Sequence, residues 1–309
     1  MPATHWLVSI LPTDKSVILN RVGIADRRAA VGIAAMIAAM LLLPLVDATS
    51  KLLAARYAPE QVVWARNAVH ALLIFPFVLR SVTMTWQWPN NILQHGVRAF
   101  CFVAMALFFV KGLQTLPLAD ALGIVFSFPL LITAMSAVFL GERVGIWRWS
   151  AVGLGLLGVC FIVRPGFEQI TVDVLYVLGA AVTAAIYIIL TRRLSSQTPS
   201  IVLLFYPAAL GAIGLGMMMP SVWQTPNLVD AGLFFGIGAA VAAAHFLIIV
   251  AYKTAEASFI APLTYLQIAN GTLLGFLFFG DVPVALTWVG LAIVVGAGVV
   301  VILRERRRH

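Results

Sequence analysis

Residues 98–165 read RAFCFVAMALFFVKGLQTLPLADALGIVFSFPLLITAMSAVFLGERVGIWRWSAVGLGLLGVCFIVRP, and the division of this stretch decides the fold. It carries three apolar runs, at 96–113, 119–140 and 147–163, parted by LQTLP at 113–117 and GERVG at 141–145. A bilayer hydrocarbon core of roughly 30 Å is crossed by a helix of about 20 apolar residues, and each run has that length and character. The spacing therefore predicts three successive membrane spans joined by short turns.

Reading outward for similar runs between charge, Pro and Gly breaks adds spans at 29–54 and 61–79 before this stretch. After it come 173–191, 200–219, 231–252, 258–280 and 285–303. The whole chain agrees with its decisive part. Of its 309 residues 62% are hydrophobic and only 10% charged, and its mean hydropathy is +1.01. Soluble domains lie near about 45–50% apolar and about 25% charged.

The net charge of +8 does not point to nucleic acid, because the basic residues stand in short clusters between apolar runs and not along one face. It reads as a topology signal. With the N-terminus cytoplasmic, Lys15, Arg21, Arg27, Arg28, Arg80, Arg143, Arg148, Arg192, Arg193, Lys253 and the terminal arginines fall inside. Arg56, Lys111 and Arg164 fall outside. This asymmetry predicts both termini in the cytoplasm of a bacterial-type inner membrane. Residues 1–28 have no cleavable-signal pattern and are expected as a cytoplasmic tail, with 304–309 as a basic tail. Cys101 and Cys160 both fall in apolar runs, without metal or disulfide spacing.

The second half repeats the first. Laid over 252–288 without gaps, residues 113–149 match Thr115 with Thr254, Thr133 with Thr272, Phe139 with Phe278, Gly141 with Gly280 and Trp149 with Trp288. Glu142 meets Asp281. A shift one residue longer sets Pro59 on Pro199. The units are then 29–165 and 172–303. Five spans per unit is an odd number, so the second enters the membrane upside down. The expected fold is all-α and integral to the membrane, with ten transmembrane helices in a 5+5 inverted repeat.

On the stretch Arg98–Pro165 and its partner APLTYLQIANGTLLGFLFFGD at 261–281, the chain resembles the drug/metabolite transporter superfamily in its EamA-like branch. DATSK at 47–51 and the APxxYL pattern at 261–266 are similar to bacterial S-adenosylmethionine carriers, and related sequences include vitamin and amino-acid carriers. The resemblance implies a central cavity lined by the first, third, fourth, sixth, eighth and ninth helices, with the fifth and tenth at the periphery.

Ionisable groups inside a bilayer cost about 2.5–3.5 kcal/mol each on insertion scales, so they mark sites or pairs. Asp47 and Lys51 stand four apart on the first helix, and Arg66 and His70 repeat that spacing on the second. Asp47 reads as a cavity carboxylate or as the structural partner of Lys51 or Arg66. Lys51 reads as a solute contact or as a cation snorkelling to the outer interface, and Arg66 as a fixed counter-charge serving either the structure or a solute. Arg98 is expected to anchor the third helix at the inner interface. His70 and His245 are candidates for proton coupling against a packing role. In the second unit Tyr187, Tyr265, Gln267 and Asn270 could orient a solute, Tyr265 and Asn270 being the preferred pair. Trp64 could stack on a planar solute or belong to an interfacial belt. Pro44 and Pro129 interrupt spans and are candidate hinges.

Gly153, Gly155 and Gly158 spell GxGxxG, but no strand precedes them, so the dinucleotide reading fails its context. These glycines, with Gly290, Gly296 and Gly298, suit close helix packing or a homodimer contact. No GxxxxGK[ST] loop, HExxH pair or nucleophile elbow occurs. The expectation is a secondary transporter without cofactor or metal, not an enzyme, moving a small polar or zwitterionic metabolite by alternating access. Amino acids, S-adenosylmethionine and vitamin-like solutes fit this reading. A membrane-embedded enzyme on lipid substrates and a lipid flippase are the rivals.

Overall fold

The computed structural model describes residues 15–82, 91–139, 145–164, 171–195, 197–256 and 260–306. The repeat match of Gly141 and Glu142, the inner Arg143 and the last three residues lie outside these. Among the described residues all regular structure is helical. A backbone in lipid has no water to satisfy its N–H and C=O groups, and a helix satisfies them within itself.

The first unit holds α1 (Lys15–Ala54), α2 (Pro59–Val82), α3 (Ile92–Gly112), α4 (Leu118–Val125), α5 (Phe128–Phe139) and α6 (Ile146–Val163). The second holds α7 (Val172–Leu194), α8 (Ser200–Gly216), the short α9 (Met219–Val222), α10 (Leu228–Thr254), a 3-10 turn (Ala261–Tyr265), α11 (Leu266–Phe279) and α12 (Ala285–Arg306). Among the described residues eight segments are long and apolar enough to cross a membrane, α4 with α5 and the 3-10 turn with α11 each forming one, while Ser200–Gly216 and Ala285–Val300 are shorter apolar helices.

Two helix starts differ from the sequence reading, and the interruption expected at Pro129 falls after Val125. The first helix starts at Lys15 and not at 29, because its charged opening turns are helical although they are not apolar. The run at 119–140 is broken after Val125. Phe126 and Ser127 form a turn ahead of Pro129, whose ring removes a backbone donor, and the Ser127 hydroxyl donates to the Ile124 carbonyl at 2.7 Å. The run at 258–280 opens with a 3-10 turn around Pro262 before α11 begins.

The turns follow from their residues. Pro59 starts α2, where its missing N–H is no loss. Gly280 ends α11 at φ 69, in the left-handed region that glycine enters freely, and this turn presents Asp281 back toward the bundle. The outward faces are apolar: Leu72, Phe77, Leu93, Phe100, Leu157 and Leu277 are exposed, as suits contact with lipid and not water.

Packing pairs join the units. α1 lies along α10, α3 along α7, α2 along α8 and α6 along α12. At the last of these, a methyl added to Gly290 would stand 2.6 Å from the Gly158 carbonyl oxygen, so these two glycines set the closeness of α6 and α12.

Among the described residues four ion pairs gather at one end of the bundle, where α1, α3, α6 and α11 finish and α2, α4, α7, α10 and α12 begin. They are Lys51–Asp281 at 2.9 Å, Arg56–Asp230 at 3.1 Å, Lys111–Glu60 at 2.8 Å and Arg164–Asp120 at 3.2 Å. Gln61 adds a two-way bond with the Gln224 backbone at 2.7 and 2.9 Å. Because α1 ends beside the start of α12, the helices that carry the two chain termini run back toward the opposite end.

Candidate functional site

A cavity of about 310 Å³ lies in the middle of the bundle, within the range of small-molecule sites. Its wall is largely apolar and aromatic, with Phe102 and Phe109 from α3, Phe126 and Phe128 around the α4–α5 break, and Leu122 and Val125 from α4. Six polar side chains interrupt it: Asp47 of α1, Arg66 of α2, Tyr187 of α7, His245 of α10, Thr264 of the 3-10 turn and Gln267 of α11. The helices the resemblance implied all contribute, α2 joins them through Arg66, and α6 and α12 contribute none of the lining residues.

Asp47 and Arg66 face one cavity with opposite charges. They form no ion pair within 4.0 Å. The Asp47 carboxylate instead accepts from Gln267 Nε2 at 3.2 Å, and the buried Arg66 Nε has no hydrogen-bond partner among the described residues. A charge pair in a low dielectric that is left apart can bind the complementary charges of a solute.

The other predicted residues are placed as follows. Lys51 does not line the cavity and neither pairs with Asp47 nor snorkels outward. Its ammonium is turned inward to Asp281 at 2.9 Å and to the Leu116 carbonyl at 2.9 Å, over the Phe279 ring. His70 is buried behind His245, ring centroids 5.3 Å apart, and neither of its ring nitrogens finds a partner among the described residues. Trp64 packs edge-on against Trp223 at 5.7 Å, away from the cavity.

The preferred pair on the ninth span is also turned away. The Tyr265 hydroxyl points at Gly298 of α12, where only a hydrogen leaves room for it, although its ring meets the cavity residue Phe126 at 5.8 Å. Asn270 donates from Nδ2 to the Met40 carbonyl at 3.2 Å. Met40 is four residues before Pro44, so this is the carbonyl that the proline leaves without a helical partner. Pro44 does not break α1, and Asn270 satisfies the bond it removes.

Arg98 repeats that device and is no interfacial anchor. It is 1% exposed, donates from Nε to Thr191 Oγ1 at 2.8 Å, and bonds the Leu203 carbonyl, which Pro207 of α8 frees. Its guanidinium also lies 5.1 Å over the Tyr187 ring and reaches the Tyr187 hydroxyl at 3.5 Å, steadying that cavity wall. The sequence reading passed over the Phe102, Met105 and Phe109 stripe. Its i, i+3, i+7 spacing was the available signal, and any packed helix shows the same spacing.

A helical membrane protein built of two units around an internal cavity with unpaired opposite charges is the class that these observations define. One family model matches residues 30–164 and again 172–304, and the chain belongs to the EamA-like transporter family. The resemblance drawn from Arg98–Pro165 and 261–281 therefore holds.

Among relatives, a riboflavin transporter of Rhizobium johnstonii is 29% identical over 201 residues, 65% of this chain and 67% of that protein. An S-adenosylmethionine uptake transporter of Rickettsia bellii is 26% identical over 262 residues, 84% and 89% of the two chains. The pseudopaline exporter CntI of Pseudomonas aeruginosa is 27% identical over 270 residues, 86% and 94%. One solved crystal structure, 21% identical, matches 92% of this chain and 99% of its own with a TM-score of 0.58, which shows a shared fold.

Proposed function

We propose that the chain is a secondary carrier that moves a small polar or zwitterionic organic metabolite through this cavity by alternating access. The family and the names of its relatives, which include uptake transporters and an exporter, point to small-metabolite transport and away from catalysis. The observation that carries the reading is the unpaired Asp47 and Arg66 in one cavity: the carboxylate would take a cationic group of the solute and the guanidinium an anionic one. Phe102, Phe126 and Tyr187 would flank a planar portion.

The architecture of this reading is ten crossings in a 5+5 inverted repeat with both termini cytoplasmic, one unit over 29–165 and the other over 172–303. Packing supports it. Exchanging α1 with α7, α2 with α8 and α3 with α10 turns the α1–α10 contact into α7–α3 and the α2–α10 contact into α8–α3. It also returns α2–α8 to itself. Two units related in this way can supply inward- and outward-facing states by rocking about a fixed site. His245 lines the site and His70 stands behind it, where they could carry a coupling proton.

The homodimer reading narrows to part of the glycine surface. Gly155, Gly158, Gly290 and Gly298 are filled by contacts within the chain, whereas Gly153 and Gly296 meet nothing within 4 Å and would remain for a second protomer. Mass measurement in detergent tests it, and a uniform monomer removes it.

A thermal-shift panel on the purified protein tests the site itself, with S-adenosylmethionine, riboflavin and zwitterionic amino acids as probes. A ligand that prefers the folded state raises its apparent stability. At least one probe is expected to raise Tm, and Asp47→Asn to weaken its binding by about tenfold, the effect of losing about 1.4 kcal/mol. A stabilising probe whose affinity is the same in Asp47→Asn and Asp47→Ala would remove that carboxylate from the site.

A further inference from the structure

We propose that the Lys51–Asp281 ion pair is the latch that closes the cavity at the bundle end away from the chain termini, and that it opens when the solute passes to that side. The proposal rests on the carrier reading and adds to it which end is shut in this structure and what holds it shut.

The cavity wall comes close to the ion-paired end on some helices and stops short of it on others. On α7 its wall is Ala184, Tyr187 and Ile188 and on α10 Val241, His245 and Ile248, at or beyond the middle of each helix as seen from that end, whereas on α3 and α4 it reaches Phe109 and Leu122, within about a turn of it. On α1 the lining stops at Asp47. Lys51 is the next residue on that face, one turn closer to the shut end.

Of the four ion pairs at that end, Lys111–Glu60 and Arg164–Asp120 join residues within the first unit, so rocking of one unit against the other leaves them whole. Arg56–Asp230 does cross between units, but Arg56 is 64% exposed, and such a pair is screened and weak. Lys51–Asp281 also crosses, with its side chains only 14% and 20% exposed.

The pair also gathers three segments. Lys51 donates to the Leu116 carbonyl at 2.9 Å as well as to Asp281. Asp281 in turn accepts from the Leu118 N–H at 3.3 Å, at the first turn of α4. The end of α1, the start of α4 and the α11–α12 turn are thereby tied together one helical turn beyond the cavity residues Asp47 and Leu122. Two compact charges that are strongly hydrated when apart and bonded when together make a two-state contact: water entering between them is the open state.

Cysteine accessibility in the full chain tests the latch without knowledge of the solute. In a Cys101→Ala, Cys160→Ala background, Val125→Cys reports on the cavity. Thr225→Cys, exposed ahead of α10, separately marks the side of the membrane on which the shut end lies. A membrane-impermeant thiol reagent is applied to each side in intact cells and inverted vesicles.

The Val125→Cys reporter is expected to react slowly from the Thr225 side and faster from the other. Lys51→Gln and Asp281→Asn should each raise the Thr225-side rate by about tenfold, which corresponds to about 1.4 kcal/mol of closed-state preference. Lys51→Asp combined with Asp281→Lys should bring it back down. An unchanged rate in both neutral variants overturns the latch, as does a fast rate in the parent chain. Where the neutral variants do not purify as folded protein the swapped chain decides, and fast labelling there overturns the proposal. A reporter that reacts from neither side in any chain contradicts the carrier reading itself, and the latch with it.

Discussion

Pro44 and Pro207 each deprive a membrane helix of one backbone bond, and each freed carbonyl is taken up by a side chain from a neighbouring helix. Asn270 serves Met40 and Arg98 serves Leu203. An unsatisfied carbonyl at this depth has no water to turn to, so these contacts hold α11 to α1 and α3 to α8 as well as mending the helices. Asn270→Leu is expected to lower stability by about 1–3 kcal/mol, the cost of a buried acceptor left alone, read as a reduced Tm in detergent with secondary structure retained. An unchanged Tm would show that Met40 finds another donor. Arg98→Lys keeps the charge but not the planar fork, and is expected to lose the Thr191 or the Leu203 bond and to reduce Tm as well.

Helix by helix, the closeness of α6 and α12 makes a sharper comparison. A methyl at Gly290 meets a backbone oxygen of Gly158 that cannot swing aside, so Gly290→Ala should cost about 1–3 kcal/mol as overpacking. Gly296→Ala, on the same helix with open space around it, should be neutral or slightly stabilising. Equal melting behaviour of the two variants would refute this account of the α6–α12 contact.

The elements were legible to different depths. Apolar run length located the eight candidate spans and the two shorter apolar helices among the described residues, and Pro129 announced the break after Val125. The 3-10 turn at 261–265 was not foreseen although Pro262 marks its place, since the length of an apolar run does not separate a 3-10 turn from the α-helix that continues it. The charged start of α1 read as a tail, because hydropathy reports transfer to lipid and says nothing of helix formation in residues such as Arg21 and Arg27.

The site was legible only in part, for a reason that belongs to helix geometry. Sequence position fixes how deep a side chain sits, but its facing depends on how the whole helix is rotated, and each residue turns the direction by about a hundred degrees. Gln267 therefore lines the cavity while Asn270 reaches α1 and Tyr265 reaches α12. Asp47 faces the cavity and Lys51, four residues on, has passed its floor and meets Asp281. That last pairing joins residues 230 apart in the chain, and no local spacing could have announced it.

For the molecule as a whole, two units meet around a cavity whose charges await partners, with one end tied shut. The arrangement predicts that cysteines at the two chain ends label from one side of the membrane and Thr225→Cys from the other. Ends labelled from opposite sides would contradict the paired five-span units. Counterflow in proteoliposomes is the most direct test of the carrier claim. Vesicles are loaded with the unlabelled solute identified by thermal shift and given a trace of the labelled solute outside. The account predicts transient accumulation of label above its equilibrium level, abolished or strongly reduced in Asp47→Asn and Arg66→Gln and absent from empty liposomes. Folded protein that binds the solute yet gives no overshoot, or both variants performing as the parent chain does, would contradict it.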